Sequence, residues 1–256
     1  MPIILNLELD IRYKMNRFIS ILVLTLLVLS ACDPDSCLEK GATEEIRELS
    51  VSYFERLRIE GTYLVILVQD STDYVEFEAP EGVLDHLKAE VNDSVLVLTN
   101  SNDCSYRRDF RKPKAYIHFT DLKNIDLFEV CKLTSEVAIK NTMRITVQTE
   151  IAEIDLKFDS PHISFYNNTT TGGIYTFRGN CKYANISGYY SAQFNLDELY
   201  VNELHLNNSS LSDMTVHASD LLKVEIHHQG DVYYDGSPKV IVESITGSGK
   251  LIHIDE

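Results

Sequence analysis

The sequence predicts an all-β chain folded as a parallel β-helix, a β-solenoid of about seven coils with about 20 residues each, and three observations predict it. An apolar-x-apolar triplet recurs seven times, at Ile125-Asp126-Leu127, Ile145-Thr146-Val147, Ile163-Ser164-Phe165, Ala184-Asn185-Ile186, Leu204-His205-Leu206, Val224-Glu225-Ile226 and Val240-Ile241-Val242. Their first positions are separated by 20, 18, 21, 20, 20 and 16 residues, the spacing that a stacked β-coil generates. Each triplet is followed, after a polar turn, by a second apolar set, so each repeat supplies two short strands.

The first element is a leader. Phe18 to Leu29 are almost wholly apolar, Arg17 precedes them, and Leu29-Ser30-Ala31-Cys32 follows. Such a run falls short of the roughly 20 residues that cross a bilayer, and small residues before a cysteine resemble a bacterial lipoprotein signal. Residues 1–31 are therefore read as a signal peptide, with cleavage before Cys32 and acylation of that cysteine. Glu8 and Asp10 do not suit a basic leader, whereas Met15-Asn16-Arg17 opens a compact one, so translation is expected to start at Met15. More than one acyl chain on Cys32 gives a stable membrane anchor. Residues 32–48 then read as the lipidated cysteine and a flexible polar tether, and residues 49–256 as one elongated body. The address is the cell envelope, the outer membrane in particular, with the leaflet open.

Within the body, Tyr53 to Ile59, Tyr63 to Val68, Tyr74 to Glu78, Val95 to Leu98 and Ala115 to Phe119 alternate like half-buried strands and are rich in β-branched and aromatic residues. Gly61, Asp70-Ser71, Asn92-Asp93 and Ser101-Asn102-Asp103 punctuate them. Between Glu81 and Val91, Leu84, Leu87 and Val91 have helical spacing, which predicts a short helical turn. In the repeats, the second sets are Val137 with Ile139, Ile154 with Leu156 and Phe158, Ile174 with Phe177, Ala192 with Phe194 and Leu196, Met214 with Val216, Val232 with Tyr234, and Ile252 with Ile254. Residues two apart share a face of a strand, so these point inward. Ile174 with Phe177 breaks that parity and predicts a bulge or another register. One coil cannot bury enough apolar surface to fold alone; stacking supplies contacts on both of its faces.

Charge and cysteine content bound the chemistry. The formal net charge is −16; removing residues 1–31 takes away Arg12, Lys14 and Arg17 against Glu8 and Asp10, leaving −17. Nucleic acid is excluded as a partner by repulsion. With Cys32 committed to lipid, Cys37, Cys104, Cys131 and Cys181 can pair in three ways or remain free buried thiols.

Toward the C-terminus, Gly230-Asp231-Val232-Tyr233-Tyr234-Asp235-Gly236-Ser237-Pro238 followed by Thr246-Gly247-Ser248-Gly249 closely resembles the closing repeats of the putative auto-transporter adhesin, head GIN domain family. The N-terminal order is similar too, from Phe54-Glu55-Arg56-Leu57-Arg58-Ile59 through Gly61 to Ala79-Pro80-Glu81 and Val95-Leu96-Val97-Leu98. The resemblance implies a right-handed β-solenoid in a secreted or lipid-anchored envelope protein that serves adhesion or surface binding. Members usually carry Ser-Gly-Ser-Gly-Asp-like turns, whereas this chain has Asn167-Asn168-Thr169-Thr170-Thr171-Gly172-Gly173 and Asn207-Asn208-Ser209-Ser210; Asn is the next best residue for turn conformations.

Gly247-Ser248-Gly249-Lys250 lacks the first glycine and the hydroxyl residue of a phosphate loop, so it reads as a turn. His227 and His228 are adjacent on a strand and point to opposite faces, which leaves no metal site with His205 or His217. A polysaccharide-degrading enzyme would need converging carboxylates, and the acids here are scattered; no cofactor is expected. Asp70-Ser71-Thr72 and Asp93-Ser94-Val95 match a bacterial O-glycosylation tripeptide but sit at turns. Tyrosines cluster at 166, 175, 183, 189, 190, 200 and 233, and exposed rings stack on sugars or anchor interfaces. Tyr175, Tyr189, Tyr190 and Tyr233 are singled out as ligand contacts. The function expected is adhesin-like binding of glycan or protein; a β-helix polysaccharide-degrading enzyme or a periplasmic scaffold are the alternatives.

Overall fold

Two faces of parallel strands, joined by bends and closed around one apolar core, make a β-solenoid of about six turns. The structure is a computed structural model that describes residues 43–102, 112–149, 151–168 and 172–254. Cys32, Cys37 and Cys104, and with them the leader and anchor readings, lie outside these residues.

The repeat region behaves as its periodicity requires. On one face, β8 (Asn124–Leu127), β10 (Met143–Val147), and the C-terminal halves of β11 (Ala152–Asn167), β12 (Ile174–Tyr190), β14 (Leu199–Ser210) and β15 (Met214–Ile226) stack in parallel, ending at β17 (Lys239–Ile245). On the other face run β9 (Cys131–Ser135), the N-terminal halves of β11 and β12, then β13 (Gln193–Asn195), and beyond it the start of β15, β16 (Val232–Asp235) and β18 (Leu251–His253). Ile125, Ile145, Phe165, Ile186, Leu206, Val224 and Val242 stand in one register column. All but the last are buried; Val242, on the end coil, is half exposed. A purely aromatic cluster fills the middle, with Phe165 within 4.7–5.7 Å of Tyr175, Phe177 and Phe194.

Four details differ from the sequence reading. Glu44–Ser50 form strand β1, antiparallel to β4 (Tyr74–Pro80), so the part of the presumed tether from Glu44 to Glu48 is ordered into the sheet. The helix α1 is confined to Glu81–Leu84, and Leu87–Asn92 become β5, antiparallel to β6 (Val95–Asn100). Leu87, Ala89 and Val91 also satisfy a two-residue period, and the ladder to β6 gives their backbone groups partners that one helical turn lacks. Ile174 and Val137 are exposed, and Tyr175 takes the inward place, which restores parity with Phe177. Finally, the N-terminal coils stack out of chain order. β2 (Arg56–Glu60) lies between β6 and β8, and β3 (Leu64–Gln69) lies between β7 (Lys114–Phe119) and β9. The chain thus lays down one coil, builds the antiparallel end with β4 and β5, adds a second coil inside that end, and crosses over to begin the repeats.

The asparagine turns are explained by burial. Asn167 and Asn208 are fully buried in the next inward column, two residues further along, where Val147 and Ile226 stand in neighbouring coils. Asn167 Oδ1 accepts from the Tyr189 amide at 2.9 Å and its Nδ2 donates to the Tyr189 carbonyl at 3.2 Å. A buried polar side chain is tolerated because its hydrogen bonds are made.

Candidate functional site

Where β11, β12, β14 and β15 bend from one face to the other, small side chains recur coil after coil and leave a groove of about 740 Å3 along the stack. Its floor is Ser160, Cys181, Val201, Ala218 and Gly236. The first four are buried and in register, Ser160 with Cys181, Cys181 with Val201, and Val201 with Ala218. One wall is the column Asp159, Asn180, Tyr200, His217 and Asp235, again in register. The opposite wall is Pro161, Lys182, Asn202, Ser219 and Ser237, where the ladder lapses before resuming at His162 with Tyr183 and Tyr183 with Glu203. A proline, which has no N–H to give, suits that interruption. Five coils at about 4.8 Å per step make a channel roughly 19 Å long.

Two glycines shape the bend. Gly179 has φ +99° and Gly236 φ +97°, and a Cβ on Gly236 would collide with the Ala218 carbonyl oxygen. Asp235 Oδ1 accepts from the Gly236 amide at 2.5 Å while Oδ2 lies 3.0 Å from His217 Nδ1. His217 in turn stacks on Tyr200, ring centroids 4.9 Å apart and planes 26° from parallel. Tyr200 is 58% exposed, and the neighbour on its other side is the shorter Asn180. Across the groove, Asn202 Nδ2 donates to Ser219 Oγ at 3.1 Å.

The carboxylates of the groove are not spaced for glycoside hydrolysis. Its acids Asp159 and Asp235 are four coils apart, roughly 19 Å at about 4.8 Å per coil, against roughly 5–10 Å between the carboxylates of glycosidases. The Cys181 thiol on the floor donates to the Tyr183 carbonyl at 2.9 Å, and burial pushes its pKa up to about 11, so it stays protonated and poorly nucleophilic. Among the described residues no three His, Cys, Asp or Glu side chains converge to hold a metal ion.

None of the four singled-out tyrosines lines this groove. Tyr175 is 1% exposed in the aromatic core, where burial pushes its pKa up to about 12, so it is withdrawn as a ligand contact. Tyr189 and Tyr190 stand at the turn that ends β12, Tyr190 with φ +59°. Tyr233 lies half-buried on β16 with its hydroxyl 3.5 Å from Asp231 Oδ2. Tyr200 belonged to the same cluster of seven, but only the bend shows that it rims a groove. His227 engages Glu225 and Thr246, whereas His228 accepts from the Gln229 amide, so the pair does not converge. Gly247-Ser248-Gly249 leads into strand β18, not a helix. Cys131 and Cys181 are both free and buried; they do not pair with each other.

Residues 53–238 match the family model described as putative auto-transporter adhesin, head GIN domain. Solved structures share the fold. A putative adhesin from Bacteroides fragilis superposes with a TM-score of 0.72 at 17% identity, over 83% of this chain and 97% of that one. A putative adhesin from Parabacteroides merdae gives 0.63 at 15%, over 84% and 98%. A protein from Parabacteroides distasonis described as a putative lipid binding protein gives 0.60 at 16%, also over 84% and 98%. No curated protein matches the chain.

Proposed function

The chain belongs to the putative auto-transporter adhesin, head GIN domain family, and from that premise we propose that it is a lipid-anchored, non-enzymatic protein of the cell envelope whose corner groove binds a glycan or protein in the manner of an adhesin. The carrying observation is the groove itself. Five coils align an exposed aromatic ring, amides and hydroxyls over a floor of small side chains, without a carboxylate pair at hydrolytic spacing. The adhesin descriptions of relatives with the same fold support a binding role. A lipid ligand, the description of one relative, would call for an enclosed apolar cavity, whereas this site is an open groove with Asp159, Asn180, Lys182, Asn202 and Asp235 along its walls. Anchoring through Cys32 is supported by the leader that precedes it.

Two measurements test this. Cells fed a labelled fatty acid should acylate the chain, and Cys32→Ala should abolish the label. The mature chain, printed against arrays of glycans and envelope proteins, should retain a ligand and return it chemically unchanged. Release of shortened oligosaccharides would instead favour the enzyme reading. Retention of nothing, with protection from protease on intact cells, would favour the scaffold.

A further inference from the structure

The groove also carries information about the class of its ligand, an inference that rests on its being the binding site. We propose that it takes a neutral glycan, with one sugar ring stacked on the free face of Tyr200. Three observations converge on this. First, Tyr200 is the exposed aromatic ring of the lining, and it is held rather than loose: His217 covers one face, and Asp235 fixes His217 through Nδ1. An aromatic face with its position already fixed stacks on the C–H face of a sugar with little ordering cost. On the next coil Asn180 is too short to fill the space beside that ring, and its side-chain amide would meet the hydroxyls of a sugar stacked there.

Second, the charge of the site selects against acidic sugars. The lining holds Asp159 and Asp235 against Lys182, with His217 already engaged by Asp235, in a chain of net charge −16. A uronate chain would meet repulsion both from the lining and from the whole field. Hydroxyls suit the remaining partners, which are the Asn180, Asn202, Ser219 and Ser237 side chains. Third, a peptide has no strand edge to join. The main chain of Asp159, Asn180, Tyr200, His217 and Asp235 is already committed to the ladder between coils, so the groove offers side chains and not the open edge that strand addition requires.

The test titrates the mature chain with neutral oligosaccharides of four to six residues, with an oligogalacturonate of equal length, and with an unstructured peptide. Binding is followed by calorimetry and by the ring resonances of His217. Neutral sugars should bind and shift His217. Tyr200→Ala should weaken that binding at least tenfold, and Tyr200→Phe should preserve it. Ser219→Arg, on the exposed wall, should fill the groove and block binding without touching the core. Equal or tighter binding of oligogalacturonate or peptide, abolished by Ser219→Arg, would overturn the neutral-glycan assignment and leave the groove as the binding site. Ligand retention unchanged by both Tyr200→Ala and Ser219→Arg would overturn the groove itself.

Discussion

Asn208 reaches from the end of one coil to the start of another, where its Nδ2 donates to the carbonyl oxygen of Gly230 at 3.1 Å with both groups buried. The same amide donates to the Ser212 carbonyl at 3.2 Å, and its Oδ1 accepts from the Ser210 amide at 3.0 Å and hydroxyl at 2.7 Å. One side chain thus satisfies the backbone of two turns.

Asn208→Ala should therefore destabilise the solenoid by about 2–4 kcal/mol, since each buried group left without a partner costs roughly 1–3 kcal/mol. Urea unfolding of the variant checks it; a midpoint equal to that of the parent would show that water replaces the side chain. Asn208→Leu, apolar like the residues that fill this column elsewhere, should fare no better because the turn amides stay unpaired.

Tyr175→Ala should lower stability by about 3–5 kcal/mol, the usual range for emptying an aromatic core site, because Tyr175 packs 4.7 Å from Phe165 and 5.1 Å from Phe194. Tyr200→Ala should shift the unfolding midpoint little and act on ligand binding instead. The pair of variants separates packing from recognition, and an opposite pattern would reassign both rings.

Gly236→Ala should cost more than about 1 kcal/mol, because alanine suits neither the positive φ nor the space beside the Ala218 carbonyl. Gly82→Ala is the control: nothing lies near its Cβ position. Thermal melts of both variants distinguish a local backbone demand from a general effect of removing glycine.

Stability should fall with rising pH above about 8.5, the ordinary thiol value. Burial pushes the Cys131 pKa up to about 12 and that of Cys181 up to about 11. The folded state keeps these protons when the unfolded chain has lost them, so the contribution is complete below the unfolded value and is lost as pH climbs toward the folded ones. For Cys131 the slope reaches roughly 1.4 kcal/mol per pH unit. Urea midpoints at pH 7 and pH 10 measure it, and Cys131→Ala should reduce the difference. Both thiols should also resist alkylation in the folded protein at pH 8.

The solenoid was legible because its cause is local: inward positions repeat at two residues within a strand and about 20 between coils, and both periods are printed in the chain. The column from Ile125 to Val224 shows it. The first coils were not legible as coils. Arg56–Glu60 and Val95–Asn100 are 39 residues apart yet pair directly, and nothing in either strand records that the chain would return to stack inside its own beginning. The short helical turn was legible and forms at Glu81–Leu84, but Leu87 and Val91 lie on a strand, because Leu84, Leu87 and Val91 fit one period while Leu87, Ala89 and Val91 fit the other.

For the site, the sequence supplied the tyrosines and the turn residues, and it determined by its periodicity that strands would dominate. Which ring meets solvent was decided only when the coils stacked. Tyr175 and Tyr200 differ in exposure because they take opposite places in the alternation of their strands: Tyr175 points inward with Phe177, whereas Tyr200 points outward between the buried Leu199 and Val201. A one-residue change of register would turn every side chain of a strand to the other face, and the energy that fixes the register comes from neighbouring coils, not from the strand alone.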